Sequence, residues 1–276
     1  MRYSCPEQML GDRPLAEKMR LIRDSGFDGI DARFQTLADP EFANLLATTG
    51  LELASVFSQI RTPCLLEPLA ADRSLAVADI VARATAAAAA GADNLIMVPV
   101  FGPSRLSDDF DQSETRTIER ALFVAAMKEI GSALRDVLIT VVVEPLNHNE
   151  THLLIDPVEA ADWCQLVAEP RISTMVDTYH CDVESIDSAF SIGALHDKLA
   201  LMHFCDAERK LPGEVSIDFA GIIAALEARS YAGWIGFECR QIVSADDEAA
   251  LRISLEWIRG LESNQTRAAS TAGGTR

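Results

Sequence analysis

Short apolar runs rich in Val, Ile and Leu recur along the chain, and each is followed by a longer stretch whose apolar residues return at helical spacing. A run of that kind reads as a buried strand and a 3.6-residue period as a helix with one buried face, so the alternation predicts βα units and a parallel sheet. Strands are expected near residues 2–5, 29–33, 52–57, 94–100, 139–146, 172–177, 200–205 and 234–239. Helices are expected over 15–25, 40–48, 75–90, 114–134, 157–167, 188–196, 219–229 and 249–261. Gly26, Gly50 and Gly91 sit where a helix ends in a left-handed residue, and Asp39-Pro40 and Asp156-Pro157 read as an N-cap followed by proline in the first turn. Asp108, Asp109 and Asp111 read as a polar loop, and the stretch 263–276, which lacks apolar periodicity, as a disordered tail.

Eight such units match a (β/α)8 barrel, which typically takes ~250 residues. The expected fold is therefore α/β, a TIM barrel forming a single domain over residues 1–262, with a doubly wound open sheet as the alternative. No Gly-rich dinucleotide fingerprint or Walker phosphate loop follows any expected strand, which favours the closed barrel.

Composition narrows the partners. With 24 Lys and Arg against 42 Asp and Glu the formal net charge is −18, a sign that opposes binding to nucleic acid or to anionic membrane surfaces. No segment approaches the ~18 uninterrupted apolar residues of a membrane span, and the first residues lack the apolar core of a secretory signal. The six cysteines (5, 64, 164, 181, 205 and 239) form no Cys-x-x-Cys pair and read as reduced core residues of a cytoplasmic protein.

In a barrel the reactive groups stand at the C-terminal ends of the strands, so polar residues that end apolar runs are the informative ones. Four stand out: Glu144 after Val141-Val142-Val143, Asp177 after Met175-Val176, His203 after Leu201-Met202, and Glu238 after Gly236-Phe237. They are 33, 26 and 35 residues apart, close to one βα repeat each, which puts them at similar heights on the fifth to eighth strands. Three carboxylates converging beside apolar sequence cannot all ionise unless a cation compensates them. A divalent metal ion resolves the conflict, and three oxygen ligands with one imidazole suit Mn²⁺, Mg²⁺ or Co²⁺ better than structural zinc.

These residues resemble a known family, the sugar phosphate isomerases/epimerases with xylose isomerase-like barrels, and in particular the ketose 3-epimerases of the D-tagatose/D-psicose type. Glu144-Pro145-Leu146-Asn147-His148-Asn149-Glu150 is similar to that family's E-P-L-N-x-x-E segment, and Asp177-Thr178-Tyr179-His180 to its D-T-x-H. His203 to Arg209, Pro212-Gly213 and Asp218-Phe219 resemble its H-x-x-D/E-x-x-R, P-G and D-F/W run, and Phe237-Glu238-Cys239 its closing x-E-C. The likeness is specific over 141–240 and only architectural before that. It implies a metal held by Glu144, Asp177, His203 and Glu238, with Glu144 and Glu238 doubling as an acid/base pair. It also implies that His180 and Arg209 hold oxygens at the carbonyl end of a sugar or sugar phosphate, with Glu150 in support. His148, His152 and His196 have no matching role in the family and read as structural or exposed.

The expected activity is ketose 3-epimerisation through an enediolate. Aldose–ketose or hydroxypyruvate-type isomerisation, inosose dehydration, and a barrel retained as a binding subunit stay open as alternatives. Oligomeric state stays open too, a homo-oligomer included. A relative of endonuclease IV is disfavoured, because such barrels use histidines on early strands and no histidine precedes His148.

Overall fold

Strands β1 (Arg2–Pro6), β2 (Gly29–Arg33), β3 (Glu52–Phe57), β4 (Asn94–Met97), β5 (Thr140–Val143), β6 (Ile172–Asp177), β7 (Leu199–His203) and β8 (Trp234–Gly236) pair in sequence order, all parallel. Pairing of β1 with β8, Ser4 opposite Gly236, closes the ring and removes the open-sheet alternative. The computed structural model describes residues 1–58, 61–107 and 109–272, with 263–272 described by backbone alone. Asp108 and the side chains of the expected tail lie outside the described residues.

The helices are α1 (Leu15–Asp24), α2 (Phe42–Thr49), α3 (Ala70–Ala89), α4 (Gln112–Ala133), α5 (Pro157–Val167), α6 (Thr178–Val183), α7 (Ser188–Ala194), α8 (Phe219–Ala228) and α9 (Ala245–Ala272). Among the described residues no helix is long and apolar enough to cross a membrane. One apolar core lies between the helices and the outside of the barrel, containing Ile30, Val56, Leu95, Val141, Val143, Val176 and Met202 among others. A second fills the interior with Ala54, Phe57, Ile96, Val142, Met175, Leu201 and Trp234, so the barrel is packed and offers a cavity only at its end. Trp234 explains Gly29: a Cβ there would sit 2.7 Å from the indole ring. Its Nε1–H donates to Asp93 at 2.7 Å and Arg2 lies over its ring, sealing the end of the barrel where the strands begin.

Several boundaries differ from expectation for one reason: hydrophobicity reports burial, and ladder pairing is a separate matter. Strands β4, β5 and β8 end at Met97, Val143 and Gly236, while Val100, Leu146 and Phe237 stay buried in the loops that follow. Asp39-Pro40 is a turn before α2 and does not cap it: Asp39 accepts from the Glu41 N–H at 2.9 Å, and the helix starts at Phe42 with no side-chain cap. Asp111, expected in a loop, is the N-cap of α4 in a reciprocal capping box with Glu114. The cap read for Asp156-Pro157 is present, and Gly50 ends α2 in the left-handed conformation.

Candidate active site

Asp177 shows how the chain builds the site. It ends β6 and caps α6, with Oδ1 accepting from the Tyr179 and His180 backbone N–H groups at 2.8 and 3.1 Å. Its second oxygen, Oδ2, is buried with no hydrogen-bond partner. One side chain thus fixes the loop and still presents an oxygen to the barrel axis.

Glu144, Asp177, His203 and Glu238 converge there, each offering a ligand atom within 4.8 Å of the others. His203 Nδ1 lies 3.0 Å from Glu238 Oε2 and 3.5 Å from both Glu144 Oε1 and Asp177 Oδ2, yet it makes no hydrogen bond of acceptable geometry. Burial pushes the Glu144 carboxyl up, helped by the charge of Glu238. Burial acts the same way on Asp177, where His180, His203 and Arg209 outweigh it and hold the group low. Burial likewise opposes the charge on Glu238, and His203 and Arg209 win, holding it below the usual carboxylate range. Burial disfavours a charged His203, but Glu238, Asp177 and Glu144 raise its pKa well above the ordinary imidazole value. A cluster of two buried carboxylates and one half-buried carboxylate around a ring nitrogen, with orphaned atoms facing one point, fits a hard divalent cation.

The remaining expected residues line the same cavity, of about 360 Å³, with Glu144 and Glu238 in its floor. His180 is buried, and Asn147 Nδ2 approaches its Nδ1 at 2.8 Å. Asn147 Oδ1 is taken by the Asn149 N–H at 3.0 Å, so the amide NH₂ turns toward Nδ1, while Arg209 Nη2 stands 3.4 Å from Nε2. Arg209 is stacked 4.0 Å from the Tyr179 ring centroid and lies 3.7 Å from Glu238 Oε2 and 3.8 Å from Glu150 Oε1. The chain reaches this geometry by placing Glu208 and Arg209 consecutively at positive φ, 60° and 59°, a conformation costly outside glycine.

Asp206, part of the sequence motif but given no role there, anchors that turn. Its carboxylate accepts from the backbone N–H groups of Ala207, Gly213, Val215, Ser216 and Ile217 at 2.9 to 3.1 Å. Burial opposes its charge, and those donors overcome it, holding the carboxyl below the usual range.

The other wall of the cavity comes from the first half of the chain: Gln8, Phe57, Arg61, Ile96, Met97, Val98 and Phe101. None of these was legible as functional: the apolar ones look like core, and Gln8 and Arg61 look like ordinary polar loop residues. Of the three unassigned histidines, His148 pairs with Glu184 at 2.6 Å on the surface. His152 joins Glu119 at 2.7 Å and the Gly102 carbonyl at 2.9 Å, and His196 ends the segment after α7 at φ 50°.

A profile of the family described as xylose isomerase-like TIM barrel matches residues 19–261. The chain belongs to this xylose isomerase-like family. The resemblance first read from 141–240 therefore extends to nearly the whole barrel. Within the family, the 3-dehydro-D-guloside 4-epimerase of Escherichia coli K12 is 24% identical over 274 residues, 94% of this chain and 99% of that one. The L-ribulose 3-epimerase of Methylomonas sp. strain DH-1 is 33% identical over 119 residues, 43% of this chain, which spans 42% of that relative's length. The crystal structure of a D-psicose 3-epimerase in the presence of D-fructose superposes with a TM-score of 0.83 at 18% identity, covering 95% of this chain and 99% of that one, and shares the fold. All three are sugar epimerases, enzymes of the isomerase class.

Proposed function

We propose that the protein is a divalent-metal-dependent sugar epimerase, inverting the carbon next to a ketone, with ketose 3-epimerisation as the favoured reaction. The observation that carries this reading is the convergence of Glu144, Asp177, His203 and Glu238, with His180, Arg209 and Glu150 on the same cavity. Glu144, Asp177, His203 and Glu238 would hold Mn²⁺, Mg²⁺ or Co²⁺. When bound, that ion supplies positive charge where the enediolate oxygen develops.

A proton on carbon beside a carbonyl is weakly acidic, so the protein must provide a base at the carbon and donors at the oxygens. Arg209 supplies a fixed cation for those oxygens, with the His180 imidazole beside it on the same cavity. Glu144 and Glu238 follow β5 and β8, with the ligands from β6 and β7 between them, so they reach the cavity from different sides. One carboxylate removes the proton, the other returns it to the opposite face, and the centre is inverted.

A second reading, 4-epimerisation of a keto-glycoside, is supported by the end-to-end alignment with the Escherichia coli relative, and it uses the same inversion one carbon along. The substrate is a small sugar or sugar phosphate. The free state of all six cysteines supports the cytoplasm as compartment.

The test is chelation, refilling with Mn²⁺, Co²⁺ or Mg²⁺, and assay in D₂O against free ketoses, ketose phosphates and keto-glycosides. Two-base inversion places deuterium at the inverted carbon from the first turnover. Transfer of the original hydrogen to the adjacent carbon would assign an aldose–ketose isomerase instead. Metal binding without turnover on any sugar would mark a binding subunit, and full activity without metal would refute the metal centre.

A further inference from the structure

His203 has two ring nitrogens, and the proposed function uses only one. Nδ1 faces the three carboxylates, while Nε2, on the other side of the ring, is buried and has no hydrogen-bond partner. Two further buried polar atoms in the same part of the barrel interior lack partners: Oδ2 of Asp31 and Oγ of Ser4. Asp31 lies inside β2 opposite Pro6, with its other oxygen accepting from the Ser55 hydroxyl, and Ser4, two residues earlier on β1, is near enough for its hydroxyl to stabilise the Asp31 carboxylate. All three residues are fully buried.

Gly236 is what they share. It pairs with Ser4 on one side and His203 on the other. A Cβ at this position would stand 2.9 Å from Asp31 Oδ2, 3.0 Å from His203 Cδ2 and 3.4 Å from His203 Nε2. Its φ is not in the left-handed region, so the backbone does not demand glycine here. The requirement is for space between Asp31 and the outer edge of the His203 ring.

We propose that Asp31 is a positioning residue for His203: a buried water over Gly236, held by Asp31 Oδ2 and Ser4 Oγ, accepts the Nε2 proton of His203. Three partners are what a buried water commonly has. With its proton held on Nε2, the ring presents Nδ1 to the metal centre in one tautomer and one orientation, as outer carboxylates do for metal-bound imidazoles. This rests on His203 being a metal ligand.

The experiment compares wild type with Asp31→Ala, Asp31→Asn and Gly236→Ala, each checked for folding by its thermal transition. The first readout is the ring N–H resonance of His203 in ¹H–¹⁵N spectra, assigned with His203→Gln. Wild type should show a slowly exchanging, downfield Nε2–H that Asp31→Ala and Gly236→Ala abolish and Asp31→Asn weakens. The second is Mn²⁺ affinity by titration calorimetry, expected to fall about 10–100-fold in Asp31→Ala. Folded variants that keep the protected resonance and bind Mn²⁺ within twofold of wild type would overturn the proposal. Wild type that binds no divalent ion would instead refute the metal reading, and the Nε2–H resonance would still decide whether Asp31 holds the ring. Should Asp31→Ala not fold, Gly236→Ala and Asp31→Asn give the same two readouts.

Discussion

Strands β1 to β4 end at Pro6, Arg33, Phe57 and Met97, whereas β5 to β8 end at Val143, Asp177, His203 and Gly236, with Glu144 and Glu238 one and two residues further on. The two halves share an architecture and divide the cavity between them. The second half contributes the carboxylates, the imidazoles and Arg209, and the first contributes mainly Phe57, Ile96, Met97, Val98 and Phe101. On the proposed function, reaction chemistry would be confined to one side and substrate fit largely to the other. Substitutions in the second half should change kcat and those in the first KM and substrate preference.

The strongest way to break this division is at the proposed acid/base pair. Glu144→Gln and Glu238→Gln should each lower kcat by about 10²–10⁴-fold, because an amide neither accepts nor supplies the proton. Metal content has to be measured in the same samples, since both residues also belong to the metal cluster. Either variant retaining full turnover with metal bound would end the two-carboxylate scheme.

Next in size is Arg209→Ala, with a loss on the order of 10²-fold in kcat from the missing charge at the developing oxyanion. Here metal content should stay near wild type. Loss of metal or of folding would mean that Arg209 serves mainly to neutralise Glu238 and Glu150.

Phe101→Ala, on the opposite wall, should change relative kcat/KM among sugars by about 10-fold while leaving kcat on the best substrate nearly intact. A kcat loss as large as that of Arg209→Ala would erase the contrast between the halves.

The smallest effect expected is on stability. His152 ties the loop after β4 to α4 through Gly102 and Glu119, and both acceptors need an N–H from the ring. Partial burial opposes its charge, but the hydrogen bonds to Glu119 and Gly102 outweigh it and raise the pKa. A raised folded-state pKa stabilises fully below the unfolded value of ~6.5, and that stability is lost as pH rises through the folded value. The melting temperature of wild type should exceed that of His152→Gln by about 2 °C near pH 6, with the gap closing as pH rises. A gap independent of pH would show that the imidazolium is not what holds this loop.

The same contrast explains what could be read before folding. Glu144, Asp177, His203 and Glu238 were legible because a charged residue at the end of an apolar run is anomalous, and one βα repeat between anomalies implies convergence. His180, Arg209 and Glu150 came only through resemblance to family motifs. Phe57, Ile96 and Phe101 gave no signal, since the hydrophobic pattern of a strand end is the same whether it faces core or cavity. Asp31 is a lone acid within a buried strand, and its role depends on Gly236, some two hundred positions away. Asp111 was missed for a local reason: among several loop aspartates, only the reciprocal bond with Glu114 distinguishes a cap.

The seam between β1 and β8 sets the order in which the centre can be assembled. Gln8, in the turn after β1, reaches Glu238 at 3.5 Å across 230 residues of chain, and Tyr3 on β1 bonds Glu262 on α9. During synthesis Glu144, Asp177 and His203 emerge first, but the fourth carboxylate arrives only when the last strand docks on the first. Contacts this distant in sequence are made late, after the chain entropy of closing the ring has been overcome. If the proposed centre takes its metal, full-affinity capture would report ring closure, and a chain truncated before β8 would keep three of the four proposed ligands without the enclosure that makes them a site.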